Sequence, residues 1–152
     1  MNAAREAPIF VRDAGEADRV LASTLVTPAT DRGRTSLAML SEGRGRLWVA
    51  VARDLEGETI AGLLLADTHT DAEAGEPVGY IQELLVHPAF RRRGVAMHLL
   101  DAAEAYFFEE AQYEAVTLVT TPENEGALRL YRSRGYGVDQ VRLRKRRSGA
   151  ES

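Results

Sequence analysis

The segment HPAFRRRGVAMHLL, residues 87–100, runs three arginines into a glycine and then into an apolar pattern. A helix beginning at about Val95 would leave the amides of its first turn without intrahelical partners, and its dipole would add positive potential there. Because Gly94 has no side chain and Ala96 has a small one, an anion could approach this backbone closely. The segment therefore favours a phosphate-binding turn, with an ordinary helix N-terminus on a basic surface as the alternative.

Several other kinds of site are missing from the sequence. Neither G-x-x-x-x-G-K-[ST] nor G-x-G-x-x-G occurs, which excludes the common nucleotide triphosphate and dinucleotide loops. The chain has no cysteine, so disulfides, thiolate metal sites and a cysteine nucleophile are excluded. His69, His87 and His98 lack the spacing of metal ligands, and no G-x-S-x-G elbow is present. No metal is expected.

Two blocks of sequence resemble the GCN5-related N-acetyltransferase family. In the first, LLVHPAFR leads into Arg91-x-x-Gly94-x-Ala96, similar to the acyl-CoA turn [Q/R]-x-x-G-x-[G/A] that follows a buried strand. The second, NEGALRLYRSRGY at residues 124–136, resembles the signature N-x-x-A-x-x-L-Y-x-x-x-G-[F/Y]. With one helix and one strand between the blocks, the resemblance covers roughly residues 9–145.

The resemblance implies that the ligand is acetyl-CoA or a close acyl-CoA. Backbone amides of the turn would hold its pyrophosphate, and main-chain groups of the preceding strand would pair with the pantetheine arm. This pairing requires parallel strands at 80–86 and 114–120 to separate and open a slot. The implied binding residues are Leu84, Leu85, Val86, Arg91, Arg92, Arg93, Gly94, Val95, Ala96, Met97, Asn124, Ala127 and Tyr131.

The resemblance implies one catalytic group, and the absence of cysteine favours a direct attack of the amine on the thioester without an acyl-enzyme. Tyr131 would be the general acid that protonates the departing thiolate, since a phenol carries its proton at neutral pH. Glu83 is the candidate general base, acting directly or through water. A structural carboxylate paired with an arginine is the alternative for Glu83. Alternation along a strand predicts that the side chains of Gln82 and Glu83 point to opposite faces.

Hydrophobic periodicity predicts the elements that position these residues. The fold class is α/β, a mixed, twisted central sheet of six to seven strands flanked by about four helices, as in the acetyltransferase fold. Residues 1–152 are predicted to form one domain, with a core of about 9–145 and short flexible termini. The predicted strands lie at 9–12, 46–54, 58–68, 78–88, 114–121 and 136–147, and the predicted helices at about 15–26, 34–41, 95–111 and 122–135.

Composition limits the location and the partners. The chain has 152 residues, a net charge of −4, and no apolar run long enough for a signal peptide or a membrane span, so a cytoplasmic protein is expected. The acidic balance disfavours nucleic acid as a partner, although Arg91–Arg93 and the tail RLRKRR are basic. Both a monomer and a homodimer fit the sequence.

One acidic segment of the sequence bears on the choice of acceptor. Residues 67–76 hold four acidic side chains and no lysine or arginine, which could attract a cationic amine; a plain solvated loop is the alternative. The favoured function is transfer of an acetyl group from acetyl-CoA to a primary amine of a small molecule or a protein. Two alternatives stay open: a non-catalytic acyl-CoA sensor or scaffold, and an acetyltransferase toxin that acts on aminoacyl-tRNA.

Overall fold

The computed structural model describes residues 7–148 of the chain. Residues 1–6 and 149–152, which include most of the termini predicted to be flexible, lie outside the described residues. Two compact units are present, divided between Val119 and Thr120. No helix within residues 7–148 is long and apolar enough to cross a membrane.

The first unit is built on a mixed sheet with the strand order β1-β2-β3-β4-β5. The first four strands pair antiparallel, and β4 and β5 pair parallel, as the predicted strand–helix–strand crossover requires. The predicted count of six to seven strands is wrong, because the described residues form five. The strands are β1 Ile9–Asp13, β2 Arg46–Asp54, β3 Gly57–Thr70, β4 Pro77–Val86 and β5 Val116–Leu118.

Helices cover both faces of this sheet. Helices α1 (Glu16–Ser23) and α2 (Asp31–Ser41) bury Ala22, Met39 and Leu40 against one face, where Leu63 and Leu65 of β3 join the same core. Helix α3 (Val95–Ala105) covers the other face and continues into a π-helical turn, Tyr106–Glu110. The rings of Trp48 and Phe107 meet edge to face there. The sheet is thus the middle layer of three.

Helix α2 begins three residues earlier than the sequence predicts. Thr30 is its N-cap, and the Thr30 side chain accepts a hydrogen bond of 2.9 Å from the amide of Gly33. A capping threonine satisfies one of the amides that the first turn leaves unpaired, and this stabilises a start that Gly33 would otherwise weaken. The earlier start adds a turn to the helix and brings Arg32 into it.

Strand β3 also departs from prediction. It runs to Thr70, so the first four residues of the predicted acidic loop, 67–70, are paired with β4. The remaining turn is closed by Asp71, whose carboxylate accepts hydrogen bonds from the amides of Glu73 and Ala74. These bonds, led by that from Ala74, lower the pKa of Asp71. The acidic segment is therefore the end of β3 followed by the short turn of a long β3–β4 hairpin, rather than one open loop.

The second unit contains helix α4, Glu125–Ser133. Pro122 lies before this helix rather than in its first turn, because Asn124 is the N-cap and accepts a hydrogen bond from the amide of Ala127. Gly135 follows the C-cap with φ +92°, as predicted for a helix end. The predicted strand at 136–147 is wrong. Its apolar side chains are exposed, Val141 by 78% and Leu143 by 89%, so the burial that would favour a strand is missing.

Candidate functional site

The turn between β4 and α3 has a backbone shape that its sequence only partly discloses. A short 3-10 turn, Pro88–Phe90, buries the ring of Phe90 and is fixed by the amide of Ala89, which donates to Nδ1 of His87. The chain then takes left-handed conformations at Arg92, φ +63°, and at Gly94, φ +73°. Left-handed residues close together turn successive amides toward one side, as in anion-binding nests.

The amides of this turn are available to a ligand. Within the part of the chain that the structure describes, none of the amides from Arg91 to Met97 donates to a backbone carbonyl. The first such bond runs from the amide of His98 to the carbonyl oxygen of Gly94, at 3.0 Å. A Cβ at Gly94 would have the His98 ring as its nearest neighbour, 3.9 Å away, so the space above the glycine is open. The turn therefore fits a pyrophosphate held by backbone amides.

The three arginines of the turn are not equivalent. Arg91 and Arg92 are exposed, as a positive rim around an anion would need. The side chain of Arg93 instead turns back to the start of the chain, where its Nη2 donates to the carbonyl oxygen of Ala7 at 2.9 Å. Nη1 of Arg93 is buried and has no hydrogen-bond partner among the described residues. Arg93 thus anchors residues before β1, which the sequence did not predict.

Beside this turn, the edge of β4 is open over half the length of the strand. Strand β5 pairs with β4 only from Gly79 to Ile81. Residues 83–86 continue to pair with β3 on the other side but run past the last pair with β5. The backbone of Leu84–Val86 therefore borders an opening between two parallel strands, which agrees with the predicted separation of these strands.

Glu83 lies at the start of this opening and is held by a serine. Oγ of Ser36, on α2, donates to Oε2 of Glu83 at 2.8 Å. Nε2 of Gln82 also reaches Oγ of Ser36, at 3.4 Å. The prediction that Gln82 and Glu83 point to opposite faces is therefore wrong. The cause is a β-bulge: Leu65 pairs with Glu83 and the next residue of β3 pairs with Ile81, so Gln82 is the extra residue and its side chain is redirected.

Helix α2 makes a second contact on the far side of the opening. Nη2 of Arg32 donates to the carbonyl oxygen of Val119, just after β5, at 2.7 Å. Arg32 and Ser36 are four residues apart, so their side chains leave neighbouring positions of the same helix face. The helix is thereby bonded to β4 and to the end of β5. Neither contact could be predicted from the sequence, because no motif in helix α2 indicates which of its side chains contacts another element.

In the second unit, the predicted site residues share helix α4 and its cap. Oδ1 of Asn124 is engaged as the N-cap acceptor for Ala127, which gives this asparagine a structural role whatever else it contacts. The ring of Tyr131 lies edge to face with that of Tyr136, with their centroids 5.7 Å apart. Tyr131 is half-buried. Within residues 7–148, no group of three or more His, Cys, Asp or Glu side chains could hold a metal ion.

Comparison with known proteins identifies the family. The model of the Acetyltransferase (GNAT) family matches residues 16–136, from the first helix to the end of the second sequence block. The chain belongs to the acetyltransferase (GNAT) family. This membership confirms the predicted family and fold, and the family is one of acetyltransferases.

Individual relatives of this GNAT chain differ widely in their named substrates. The tRNA(Met) cytidine acetyltransferase TmcA of Haloferax volcanii is 33% identical over 115 residues, which are 72% of this chain and 15% of that protein. The chain thus spans less than a sixth of the length of this curated relative.

Solved structures show the same GNAT fold at lower identity. Aminoglycoside N-acetyltransferase AAC(6')-Iy in complex with CoA superposes with a TM-score of 0.72 at 20% identity, covering 93% of this chain and 96% of that one. A ribosomal-protein-alanine N-acetyltransferase from Brucella melitensis superposes with a TM-score of 0.69 at 16% identity, covering 93% and 100%. Likeness at this identity establishes the fold of the GNAT chain and leaves its acceptor to be argued from its own residues.

Proposed function

We propose that this chain transfers the acetyl group of acetyl-CoA directly to a primary amine, with Glu83 as general base and Tyr131 as general acid. The observation that carries the proposal is the open edge of β4 beyond Ile81, next to a turn whose amides have no backbone partners among the described residues. A strand edge can bind the amide-bearing pantetheine arm as an added strand, and free amides can bind the pyrophosphate.

The binding residues are proposed in two groups. Main-chain groups of Leu84, Leu85 and Val86 would pair with the pantetheine arm, and amides from Arg92 to Met97 would bind the pyrophosphate. Arg91 occupies the Q/R position of the family turn. The resemblance to the family adds Asn124, Ala127 and Tyr131 from the second unit. Because the side chain of Arg93 is directed to Ala7, its contribution to binding would come from its backbone amide.

The chemistry proceeds in one displacement. The acceptor ammonium first loses one proton to water, which frees its lone pair. The lone pair then forms the C–N bond at the thioester carbon, and Glu83, directly or through a water, takes the second proton from the attacking nitrogen. As the C–S bond breaks, the phenol of Tyr131 donates its proton to the CoA thiolate, which is basic enough to accept it. No group on the enzyme is acetylated, so two substrates must be bound together before any product forms.

The acceptor is proposed to be a cationic amine of a small molecule or of a protein. The chain carries a net charge of −4, and the hairpin tip at 71–76 exposes Glu73 and Glu76 with no basic neighbour in the same segment. Such a field raises the local concentration of cations and repels RNA. We also propose a cytoplasmic location, where acetyl-CoA is available.

A second acceptor class is favoured by one observation. The match to a tRNA(Met) cytidine acetyltransferase is 33% identical over 115 residues, and the exocyclic amine of cytidine is also a nitrogen nucleophile. A cytidine acceptor would be recognised through RNA phosphates, so its turnover would fall steeply with added salt. Turnover of a small amine would fall only modestly, because one or two charges are screened.

The test is a screen of acceptors that measures release of the CoA thiol from acetyl-CoA. Spermidine, neamine, a lysine-containing peptide, a peptide with N-terminal alanine, and a cytidine-containing RNA represent the classes above. Turnover with any of the first four supports the proposal, and turnover with RNA alone moves the acceptor to the second class. Binding of acetyl-CoA without turnover would favour a sensor or scaffold. Absence of acetyl-CoA binding in calorimetry would overturn the proposal.

A further inference from the structure

The hydroxyl of Ser36 occupies an unusual position for a polar group in the middle of a helix. Its residue has no exposed surface, and its Oγ contacts three groups: the carbonyl oxygen of Arg32 at 2.9 Å, Oε2 of Glu83 at 2.8 Å and Nε2 of Gln82 at 3.4 Å. A buried hydroxyl without partners would destabilise the fold. Here the hydroxyl has three possible partners, and the shortest contact goes to the carboxylate of Glu83.

The two oxygen acceptors around Ser36 compete for one proton. A hydroxyl has one proton to donate and two lone pairs with which to accept. When Glu83 is ionised, Ser36 can donate to Oε2. When Glu83 carries a proton, its own O–H can donate to Oγ of Ser36, and the serine proton can turn to the carbonyl oxygen of Arg32. The same geometry thus satisfies both protonation states without moving the helix.

We propose that Ser36 is a positioning residue that holds the Glu83 carboxylate toward the acceptor amine in both of its protonation states. The inference rests on the proposed role of Glu83 as general base. A base must change its charge during each turnover, and a partner that only donates or only accepts would oppose one of the two states. A hydroxyl backed by a carbonyl oxygen opposes neither, which favours rapid exchange of the proton.

The bulge at Gln82 gives this arrangement a second support. It turns the amide of Gln82 toward the same hydroxyl, and Gln82 can donate to Oγ whichever way the serine proton points. The carboxylate of Glu83 is therefore restrained by its strand, through the bulge, and by helix α2, through Ser36. A base held from two elements keeps its geometry when different acceptor amines bind.

The experiment compares Ser36→Ala and Ser36→Thr with a matched control, Ser41→Ala. Ser41 lies on the same helix, but it is exposed and its hydroxyl donates to the carbonyl oxygen of Ala38. With acetyl-CoA and the most active amine of the screen, kcat should fall about tenfold for Ser36→Ala, the loss of one hydrogen bond to a charged group. KM for acetyl-CoA should stay unchanged. Ser36→Thr should recover most of kcat, and Ser41→Ala should match the parent chain.

A double variant separates positioning from a general loss of structure. If Ser36 acts through Glu83, Ser36→Ala added to Glu83→Gln should cause little further loss in kcat beyond that of Glu83→Gln alone. The inference would be overturned if the fold-losses in kcat of the two single variants multiplied in the double variant. Full kcat in Ser36→Ala alone would also overturn it. Full kcat in Glu83→Gln would instead overturn the proposed base, and so would absence of turnover with every amine. Thermal unfolding of each variant checks that the fold persists. Ser36→Cys, in which a weakly hydrogen-bonding thiol replaces the hydroxyl, serves if Ser36→Ala does not fold, and kcat should fall in it as well.

Discussion

Nη2 of Arg32 and the carbonyl oxygen of Val119 are 2.7 Å apart, although the two residues are separated by 87 positions in the chain. The bond joins helix α2 to the backbone that follows β5. On the same helix, Ser36 is bonded to Glu83 of β4. One helix is therefore attached to both strands that border the opening, and the position of the helix helps to set the distance between them.

Arg32→Ala should weaken the binding of acetyl-CoA. Loss of this hydrogen bond, worth about 1 kcal/mol, would leave the end of β5 less well fixed, and the dissociation constant should rise about fivefold. Arg44→Ala is the matched control, because the Arg44 side chain is exposed and pairs with Glu42. Calorimetric titration with acetyl-CoA measures both. Equal affinities in the two variants would show that the bond does not support the opening.

Gly94→Ala should lose affinity for acetyl-CoA in a way that strain alone does not explain. Gly94 and Gly75 have φ of +73° and +72°, so alanine at either position should cost about 1 kcal/mol of stability. Only the variant at Gly94 alters the amides proposed to bind the pyrophosphate. Gly94→Glu, which adds a negative charge there, should abolish binding while the domain stays folded.

The comparison with Gly75→Ala makes the result decisive. Both alanine variants should show similar falls in melting temperature, and acetyl-CoA titration should separate them. If Gly94→Glu binds acetyl-CoA as the parent chain does, the pyrophosphate cannot lie at this turn. That result would contradict the proposal even if the chain retains acetyltransferase activity.

Tyr131→Phe should lower turnover and leave acetyl-CoA affinity nearly intact. Removing a general acid costs about 100-fold or more in kcat, whereas the aromatic ring that fills the same space is kept. The matched control is Tyr136→Phe, since the Tyr136 ring lies against that of Tyr131. Steady-state kinetics with acetyl-CoA measure both. Equal kcat in Tyr131→Phe and the parent chain would reduce this tyrosine to a packing role.

Acid should destabilise the first unit through Asp18. Hydrogen bonds from Arg12, at 2.9 and 3.2 Å, lower the pKa of the Asp18 carboxyl, and the amide of Gly15 adds to the effect. A carboxyl whose pKa is lower in the folded state binds its proton more readily when unfolded. Its contribution to stability is therefore complete above the ordinary pKa of 3.8 and is lost as the pH falls below that value.

Asp18→Asn should be less stable than the parent chain at pH 7, by about 1–2 kcal/mol, and should lose less stability on acidification. Glu16→Gln, an exposed change in the same helix turn, is the control and should keep the acid sensitivity of the parent chain. Denaturant unfolding at pH 7 and at pH 3 gives all the values. A parallel pH dependence in Asp18→Asn and the parent chain would show that other carboxyls dominate.

The parts of the fold that sequence predicts well are those set by local signals. The hairpin joining β2 and β3, the start of α3 at Val95, the parallel crossover and the helix end at Gly135 follow from periodicity and turn residues. Thr30 is also a local capping signal, but Gly33 has a low helix propensity and favours a later start of the helix. The terminal segment shows the opposite error, since the alternation of Val141 and Leu143 predicted a strand that the fold does not form.

The candidate site divides in the same way. Gly94 and Tyr131 could be proposed from the sequence because their family motifs are contiguous, and both stay predictions. Ser36 and Arg32 were not found, because their role depends on contacts with residues 47 and 87 positions away. The wrong assignment of faces at Gln82 and Glu83 has a related cause: a bulge is a relation between two strands, and one strand does not display it.

The bulge changes the parity of β4. Gly79 faces the ring of Phe107, on the side covered by α3, and in a regular strand every second residue would share that side, Glu83 included. With one unpaired residue in between, Glu83 faces α2 instead. Before the bulge, Gly79 faces the side covered by α3; after it, Glu83 faces the side covered by α2. The bulge therefore lets one strand pack against one helix and present a carboxylate to the other.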